Sequence, residues 1–303
     1  MKLLIIGGTG QLGSTIINDA LSHNYIVIAP PRQELDITKI GNNKRFLQLL
    51  KTDKPDVVIN AAAYNNVVEC ESNQLYAFDI NCIAVKNMAE ILDNLNIPFI
   101  TFSTDYVFSG LKQNGGLKQQ PYIESDMPSP LQIYGLTKLA GEYASLIYEN
   151  TTVIRTCGLY GLQSKSTKNG KGNFIDNRIT DSKTNRFIQI GCDQTVSPTY
   201  TGDLSKAVIQ LIEHPIKKYN LYHLVNEGYC TWYELTKEIY DILNIDTEVV
   251  PINHCGVDRG VRKPLFSALR NERAKELGIM LPHWKDALKR YLENKYECGI
   301  GII

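Results

Sequence analysis

Short apolar runs alternate with longer amphipathic stretches through the first half of the chain. The apolar runs read KLLII, YIVIA, DVVIN, FITFS and TTVIR, and polar residues hardly interrupt them. Such runs are typical of parallel strands that are buried on both faces, with helices between them. The pattern predicts a Rossmann-like, doubly wound α/β fold. One predicted helix begins near residue 11. The others cover residues 40–52, residues 72–95 and the segment around Tyr134.

The pattern changes after about residue 160. Residues 109–121 and 161–173 are polar, contain glycine, and are interpreted as mobile loops. We therefore assign residues 1–160 to a dinucleotide-binding domain and residues 161–303 mainly to a smaller C-terminal substrate-binding region. Segments around residues 186–225 are the candidates for a crossover back into the first sheet.

Three glycines follow the first predicted strand and open the first predicted helix. Gly7, Gly10 and Gly13 have the spacing G-x-x-G-x-x-G. Glycines permit a tight turn and a close approach of the backbone to a pyrophosphate, and the helix start supplies free N–H groups. The spacing and its position predict a dinucleotide-binding turn.

The residues at the end of the second predicted strand indicate which nicotinamide cofactor is preferred. Folds that prefer NAD usually place an acidic residue there to hold the ribose 2′-hydroxyl. The stretch YIVIAPPRQELDIT has no acid at that point, and Arg32 is the first charged residue after the strand. Because an arginine pairs well with a 2′-phosphate, NADPH is favoured, and NADH stays open.

A hydroxyl group and a tyrosine–lysine pair form the candidate catalytic set. Ser103 and Thr104 end the fourth long strand, where ligands of open α/β sheets bind. Tyr134 and Lys138 are one helical turn apart on the next helix. An ammonium beside a phenol lowers the pKa of the phenol, so this set predicts proton transfer by Tyr134.

Two other tyrosine–lysine pairs have the same spacing. They are Tyr233 with Lys237 and Tyr291 with Lys295. Neither follows a strand-end hydroxyl in the cofactor-binding half. The first is interpreted as the start of a late helix with an exposed lysine, and the second as a packed tyrosine with a solvated lysine.

Composition narrows the class of ligand. The chain has 303 residues, 43% of them apolar, and equal numbers of basic and acidic residues at 32 each, so no net charge attracts nucleic acid or a membrane surface.

Its seven cysteines and five histidines are scattered without metal-ligand spacing, which predicts free thiols in a reducing cytoplasm and no metal. No apolar segment reaches the length of a membrane span, and the start lacks the features of a signal peptide. A small ligand and a cytoplasmic location are expected, and a homodimer is one option for the assembly.

Eight segments in order carry a resemblance to a known family. They are GGTGQLG (7–13), LDIT (35–38), DVVINAAAY (56–64), STDYVF (103–108), SPLQIYGLTKLAGE (129–142), DQTVSPTYTGDL (193–204), YHLVNEGYCTWYEL (222–235) and LPHWKDALKRYL (281–292). With these segments the chain resembles the extended short-chain dehydrogenases/reductases and, more closely, the dTDP-4-dehydrorhamnose reductases. Because eight motifs occur in the expected order over nearly the whole chain, the resemblance is specific.

The resemblance implies a mechanism. Tyr134 would donate a proton to the C4 carbonyl oxygen of a nucleotide sugar while NAD(P)H delivers a hydride to the carbon. Lys138 would lower the pKa of the phenol and hold the nicotinamide ribose, and Thr104 would hydrogen-bond the developing oxyanion. The resemblance further implies cofactor contacts at Gly10, Gln11, Leu12, Asp36, Ile37, Ala61, Ala62, Tyr64 and Asn81, and substrate contacts at Thr104, Asp105, Tyr106 and Arg262.

The chain departs from the family pattern at the expected sugar pocket. Val68 and Glu69 stand where the family has Asp and Lys, Gly158 replaces a tryptophan that lies beside the sugar in the family, and Phe266 replaces an asparagine. The proton-transfer set has no such change. The prediction is therefore the same reaction on a nucleotide sugar that can differ from the usual one, with the nucleotide base and the C4 stereochemistry open.

Three other functions are weighed against this one. A sugar-nucleotide 4,6-dehydratase needs an Asp-Glu pair after the strand-end threonine, whereas here Asp105 is followed by Tyr106. An epimerase of the superfamily uses the same tyrosine and lysine, so product analysis must separate it. A non-catalytic subunit that resembles methionine adenosyltransferase β need not keep the catalytic set. The favoured function is an NAD(P)H-dependent reductase of a nucleotide-linked 4-keto-6-deoxy sugar, with dTDP-4-dehydrorhamnose as the leading substrate and dTDP-L-rhamnose as its product.

Overall fold

The computed structural model describes residues 1–42, 44–111, 114–162, 172–214 and 219–297. Most of the predicted loop at 161–173, and two residues of the one at 109–121, lie outside the described residues. The strands are β1 Lys2–Ile6, β2 Ile26–Ile28, β3 Val57–Asn60, β4 Phe99–Thr104, β5 Thr151–Thr156, β6 Leu159–Tyr160, β7 Phe187–Gly191, β8 Thr195–Val196, β9 Thr199–Tyr200, β10 Leu221–His223, β11 Cys230–Thr231, β12 Glu248–Ile252, β13 Val257–Asp258 and β14 Val261–Arg262. The helices are α1 Gln11–Ser22, α2 Lys44–Asp53, α3 Val67–Ser72, α4 Gln74–Phe78, α5 Ala84–Asp93, α6 Ile133–Ser145, α7 Phe174–Ser182, α8 Thr201–Glu213, α9 Trp232–Leu243, α10 Glu272–Glu276 and α11 Trp284–Glu297.

A parallel sheet organises the first half of the molecule. Within the described residues it has six strands in the order β10-β5-β4-β3-β1-β2. The neighbouring strands pair in parallel, for example Thr104 of β4 opposite Thr156 of β5. The predicted doubly wound α/β fold is confirmed. β2 and β3 lie on opposite sides of β1, so the direction of the strand order reverses there. Ligands of such sheets bind in the crevice that this reversal opens at the carboxyl ends of the strands.

Apolar side chains cover both faces of this sheet. On one face, residues of β1 and β4 pack with α1, α8 and α10. On the other face, β1, β3 and β4 pack with α2 and α5. Burial on both faces explains why the strand sequences are almost entirely apolar.

The C-terminal part has its own core. β7 pairs in parallel with β12, and buried side chains of α7, α9 and α11 pack around them. Helix α9 begins with a capping box, in which Thr231 and Glu234 each bond to the backbone N–H of the other.

Two predicted secondary-structure elements differ in detail from the observed ones. The helix expected across residues 72–95 is broken at Asn73, whose φ of −118° and ψ of 51° are not helical, and it contains a π-helical turn at Asp79–Ile83. The predicted strand YIVIA shortens to Ile26–Ile28, which lies at the sheet edge and is only partly buried. Among the helices in the described ranges, none combines the length and apolarity that crossing a bilayer requires.

Candidate active site

A cleft of about 640 Å³ opens at the carboxyl edge of the sheet. It runs past the segments that follow β2, β1, β3, β4 and β5, and it is closed on the far side by β8 and the start of α9. A cleft of this size suits a dinucleotide together with part of a second ligand.

The glycine turn forms the wall next to β1. Gly7 has a positive φ of +80°, and the N–H of Gly10 donates to its carbonyl at 3.0 Å. Gly13 packs against the same turn, where a Cβ would come within 2.3 Å of the Gly7 carbonyl oxygen. No side chain caps the start of α1 at Gly10. The turn and the helix start therefore present backbone N–H groups to the cleft, which fits a pyrophosphate.

The side chain of Gln11 has a second contact. Gln11 and Leu12 both line the cleft. The Gln11 amide nitrogen donates to the carbonyl of Gly161 at 2.9 Å. Gln11 therefore ties the glycine turn to the segment that follows β6.

Arg32, Asp36 and Ile37 line the end of the cleft beyond β2. The Arg32 guanidinium donates to the hydroxyl of Tyr76 at 2.6 Å, and this bond raises the pKa of Arg32. Asp36 accepts from the backbone N–H of Thr38 at 3.0 Å. Because a guanidinium carries five N–H donors, the bond to Tyr76 leaves donors for a phosphate.

Two predicted cofactor contacts lie outside the cleft wall. Ala61 and Ala62 line the cleft, but the ring of Tyr64 packs edge-on against Tyr76 at 5.1 Å. Asn81 accepts from the backbone N–H of Tyr64 and donates to its carbonyl, both at 2.9 Å. These bonds fix the segment after β3 from behind, so Asn81 shapes the wall without forming part of it.

Thr104, Tyr134 and Lys138 meet at the end of β4, and all three line the cleft. The Thr104 hydroxyl donates to Asp105 at 3.1 Å and accepts from the backbone N–H of Tyr106 at 3.2 Å. The tyrosine and lysine are brought there by α6, which follows the strand in the chain.

A buried ion pair holds α6 against the sheet. Arg155 of β5 donates to both carboxylate oxygens of Glu142, with a shortest distance of 2.6 Å. Their side chains are 2% and 1% exposed. At the start of α6, Glu71 accepts from the N–H of Ile133 at 2.9 Å. These contacts fix the helix that carries the tyrosine and the lysine.

Burial dominates the electrostatics of the pair. It raises the pKa of Tyr134, while a hydrogen bond with Thr104 acts in the opposite direction. Burial also lowers the pKa of Lys138 to about 8, against a smaller raising effect from Glu142. The sequence predicted a phenol pKa lowered by Lys138, but the net direction is upward because a phenolate is costly in this buried place. Tyr134 is therefore protonated at neutral pH, as a proton donor must be.

The predicted substrate contacts divide into two groups. Asp105 and Tyr106 line the cleft, and Tyr106 packs edge-on against Tyr134 at 6.2 Å. Asp105 also accepts from Ser267 at 2.5 Å, and burial raises its pKa. Arg262 lies instead on the exposed β13–β14 hairpin and does not line the cleft.

The positions that depart from the family pattern lie in different places. Gly158 lines the cleft, whereas Phe266 is buried in the core beneath it. Glu69 accepts from the Tyr64 hydroxyl at 2.9 Å, and Val68 is partly exposed on α3. Sequence reasoning missed Val196 and Trp232 as cleft residues, because only the fold brings these distant segments to the end of β5.

The two other tyrosine–lysine pairs lie away from the cleft. The Tyr291 hydroxyl donates to Asp176 at 2.6 Å, and Lys295 also pairs with Asp176. The prediction that Lys295 is simply solvated is therefore wrong, because a carboxylate on α7 binds it. The Lys237 ammonium lies 5.9 Å from the ring centre of Tyr233.

Comparisons with known proteins identify the family. The RmlD substrate binding domain family matches residues 1–297. The chain is similar to the spore coat polysaccharide biosynthesis protein SpsK of Bacillus subtilis, with 32% identity over 97% of this chain and 98% of that protein. A crystal structure of a dTDP-4-dehydrorhamnose reductase from Clostridium acetobutylicum is 33% identical, with a TM-score of 0.86 over 97% of this chain and 99% of that one. The Bacillus anthracis dTDP-4-dehydrorhamnose reductase in complex with NADP is 29% identical, with a TM-score of 0.84 and the same coverage of both chains, 97% and 99%.

Proposed function

The chain belongs to the RmlD substrate binding domain family, and from this premise we propose that it reduces a nucleotide-linked 4-keto-6-deoxy sugar. It is an NAD(P)H-dependent oxidoreductase. The favoured substrate is dTDP-4-dehydrorhamnose and the favoured product is dTDP-L-rhamnose. The observation that carries the proposal is a single cleft with the glycine turn on one side and Thr104, Tyr134 and Lys138 at the end of β4.

The residues around the turn are suited to hold the cofactor. Backbone N–H groups between Gly7 and Leu12 would bind the pyrophosphate, and Arg32 would pair with a 2′-phosphate. The related enzyme of Bacillus anthracis binds NADP, which supports NADPH for this chain. When bound, NADPH supplies the hydride for the carbonyl carbon.

The side chains at the end of β4 would supply the proton chemistry. Tyr134 donates its proton to the C4 carbonyl oxygen as the carbon is reduced, and its raised pKa keeps that proton in place until then. Lys138, while protonated, stabilises the phenolate that forms. Thr104 would turn its hydroxyl hydrogen from Asp105 and donate it to the developing oxyanion. Thr104 and Lys138 are buried, which limits the access of water to these bonds.

An NADPH-oxidation assay tests the proposal. The purified protein is mixed with NADPH and 4-keto-6-deoxy sugars linked to dTDP, UDP, GDP or CDP, and the loss of NADPH absorbance is followed. We expect turnover with the dTDP sugar, and product analysis by NMR then gives the C4 configuration. Tyr134→Phe should lower kcat by several orders of magnitude and leave NADPH binding nearly unchanged.

Other outcomes would replace the proposal. A changed sugar with no net NADPH oxidation would show an epimerase. The absence of turnover with every sugar, together with tight binding to a partner protein, would favour the regulatory function. The cytoplasmic location and the homodimer stay predictions.

A further inference from the structure

The wall of the cleft beyond β5 is apolar and contains a tryptophan. Gly158, Val196 and Trp232 all line the cleft there. A Cβ on Gly158 would lie 3.6 Å from the Cη2 atom of Trp232 and 3.3 Å from the Cα of Pro198. The edge of the indole therefore lies at van der Waals distance from the place that a Cβ at position 158 would take.

The strand order shows how far this wall lies from the glycine turn. The glycine turn follows β1, and the order β5-β4-β3-β1 places β5 three strands away from it. At a strand spacing of about 4.8 Å, this separation is roughly 14 Å. Thr104, which carries the reactive hydroxyl, lies opposite Thr156 on the neighbouring strand β5. Gly158 is only two residues after Thr156. A ligand at this wall lies beyond Thr104 as seen from the glycine turn, away from the place of the adenosine half of the cofactor.

Neighbouring residues position the indole. Trp232 is the first residue of α9, directly after the capping residue Thr231, which accepts from the N–H of Glu234 at 3.1 Å. The ring of Phe174 packs against the indole with centroids 4.5 Å apart. A side chain fixed in this way offers a preformed apolar surface and loses little entropy when a ligand binds.

We propose that Trp232 is a specificity-determining residue that packs against the apolar face of the sugar, including the C6 methyl group of a 6-deoxyhexose. The inference rests on the proposed function, because it assigns the sugar to this part of the cleft. A C6 hydroxyl at the same place would lose its water and find an apolar wall. The wall thus selects for 6-deoxy sugars at the binding step.

Kinetics provide the first test. Trp232→Ala should raise KM for the 4-keto-6-deoxy sugar about 10- to 100-fold, with kcat and KM for NADPH changed less than about threefold. Trp232→Phe should recover much of the affinity. Tyr229→Ala is the matched control, because Tyr229 is 45% exposed, packs edge-on against Phe266 at 5.6 Å and lies outside the cleft. Thermal unfolding of each variant shows whether the fold is kept.

Fluorescence provides a test that does not depend on turnover. The chain has two tryptophans, and the second, Trp284, is 4% exposed and outside the cleft. In Trp284→Phe, Trp232 is the single reporter, and dTDP-rhamnose should change its emission while NADP⁺ alone should not. dTDP-glucose should bind about tenfold more weakly than dTDP-6-deoxyglucose, from which it differs only by its C6 hydroxyl, and Trp232→Ala should remove this difference when binding is measured by calorimetry.

The outcomes separate the inference from the function on which it rests. If the wild type reduces the 4-keto sugar and Trp232→Ala keeps its KM, the inference is overturned and the function stands. An emission change with NADP⁺ instead of dTDP-rhamnose also overturns it, because the wall then faces the cofactor. If no 4-keto sugar is reduced, the proposed function fails, and the dTDP-6-deoxyglucose and dTDP-glucose titrations still decide whether Trp232 contacts a 6-deoxy sugar.

Discussion

Replacing Lys138 by methionine should make the protein more stable and inactive. The side chain is 5% exposed, and burial lowers its pKa from 10.5 to about 8. Each pKa unit corresponds to about 1.4 kcal/mol, so holding the ammonium in the fold costs about 3 kcal/mol at neutral pH. Methionine has a similar length and no charge, so Lys138→Met should raise the free energy of unfolding by roughly this amount.

The stability difference between Lys138→Met and the wild type should decrease as the pH rises. Below the folded pKa of about 8, both the folded and the unfolded chain carry the proton on Lys138, and the full penalty is present. Between about 8 and 10.5 the folded state releases the proton first, so the stability of the wild type rises with pH relative to Lys138→Met. Above that range the penalty is gone.

Urea unfolding of both proteins without cofactor, from neutral pH to above 10.5, measures the difference directly. Other titrating groups cancel because they are common to the two proteins. A variant that is less stable than the wild type at neutral pH would refute the reasoning, and so would a stability difference that does not shrink as the pH rises. In the NADPH-oxidation assay the variant should lose several orders of magnitude in kcat, because the charge that costs stability is the one that assists Tyr134.

Three further substitutions test other parts of the site. Arg32→Ala should raise KM for NADPH about tenfold or more and leave KM for NADH unchanged, and equal effects on both cofactors would contradict the assignment of the 2′-phosphate. Glu142→Gln should lower the free energy of unfolding by about 3–5 kcal/mol because it leaves the charge of the buried Arg155 unpaired. Adding Arg155→Met should restore much of the lost stability. Urea unfolding of the single and the double variant checks both expectations. Gly13→Ala should cost about 1–3 kcal/mol because its Cβ would lie 2.3 Å from the Gly7 carbonyl oxygen, and an unchanged urea midpoint would contradict this.

Local patterns in the sequence were enough to predict the central sheet. Strands buried on both faces are apolar throughout, and the glycine spacing after β1 has a direct backbone cause in the positive φ of Gly7. The placement of Thr104, Tyr134 and Lys138 in one cleft could also be anticipated, because strand ends and the helices that follow them meet at one edge of a parallel sheet.

Features that depend on distant contacts could not be predicted in this way. Trp232 reaches the cleft because β11 pairs with β8, and no local signal in the sequence marks this pairing. The orientation of Tyr64 away from the cleft depends on Tyr76 and Asn81, which lie on a helical segment whose breaks were not predicted. The net direction of the pKa of Tyr134 depends on its burial, which is a property of the packed protein and cannot be read from the spacing to Lys138.

The return of the chain to the sheet at β10 affects how the protein can be made. β5 pairs with β10 on its outer side, and the face of the sheet that α1 covers in part is completed by Leu204, Val208 and Leu281, which are synthesised after two thirds of the chain. During translation, the strands that surround the cofactor cleft therefore emerge long before the residues that complete the burial of this face. A nascent chain of the first 160 residues would expose part of that apolar face to water, so the packing of the cofactor-binding half is completed only when the C-terminal half is present.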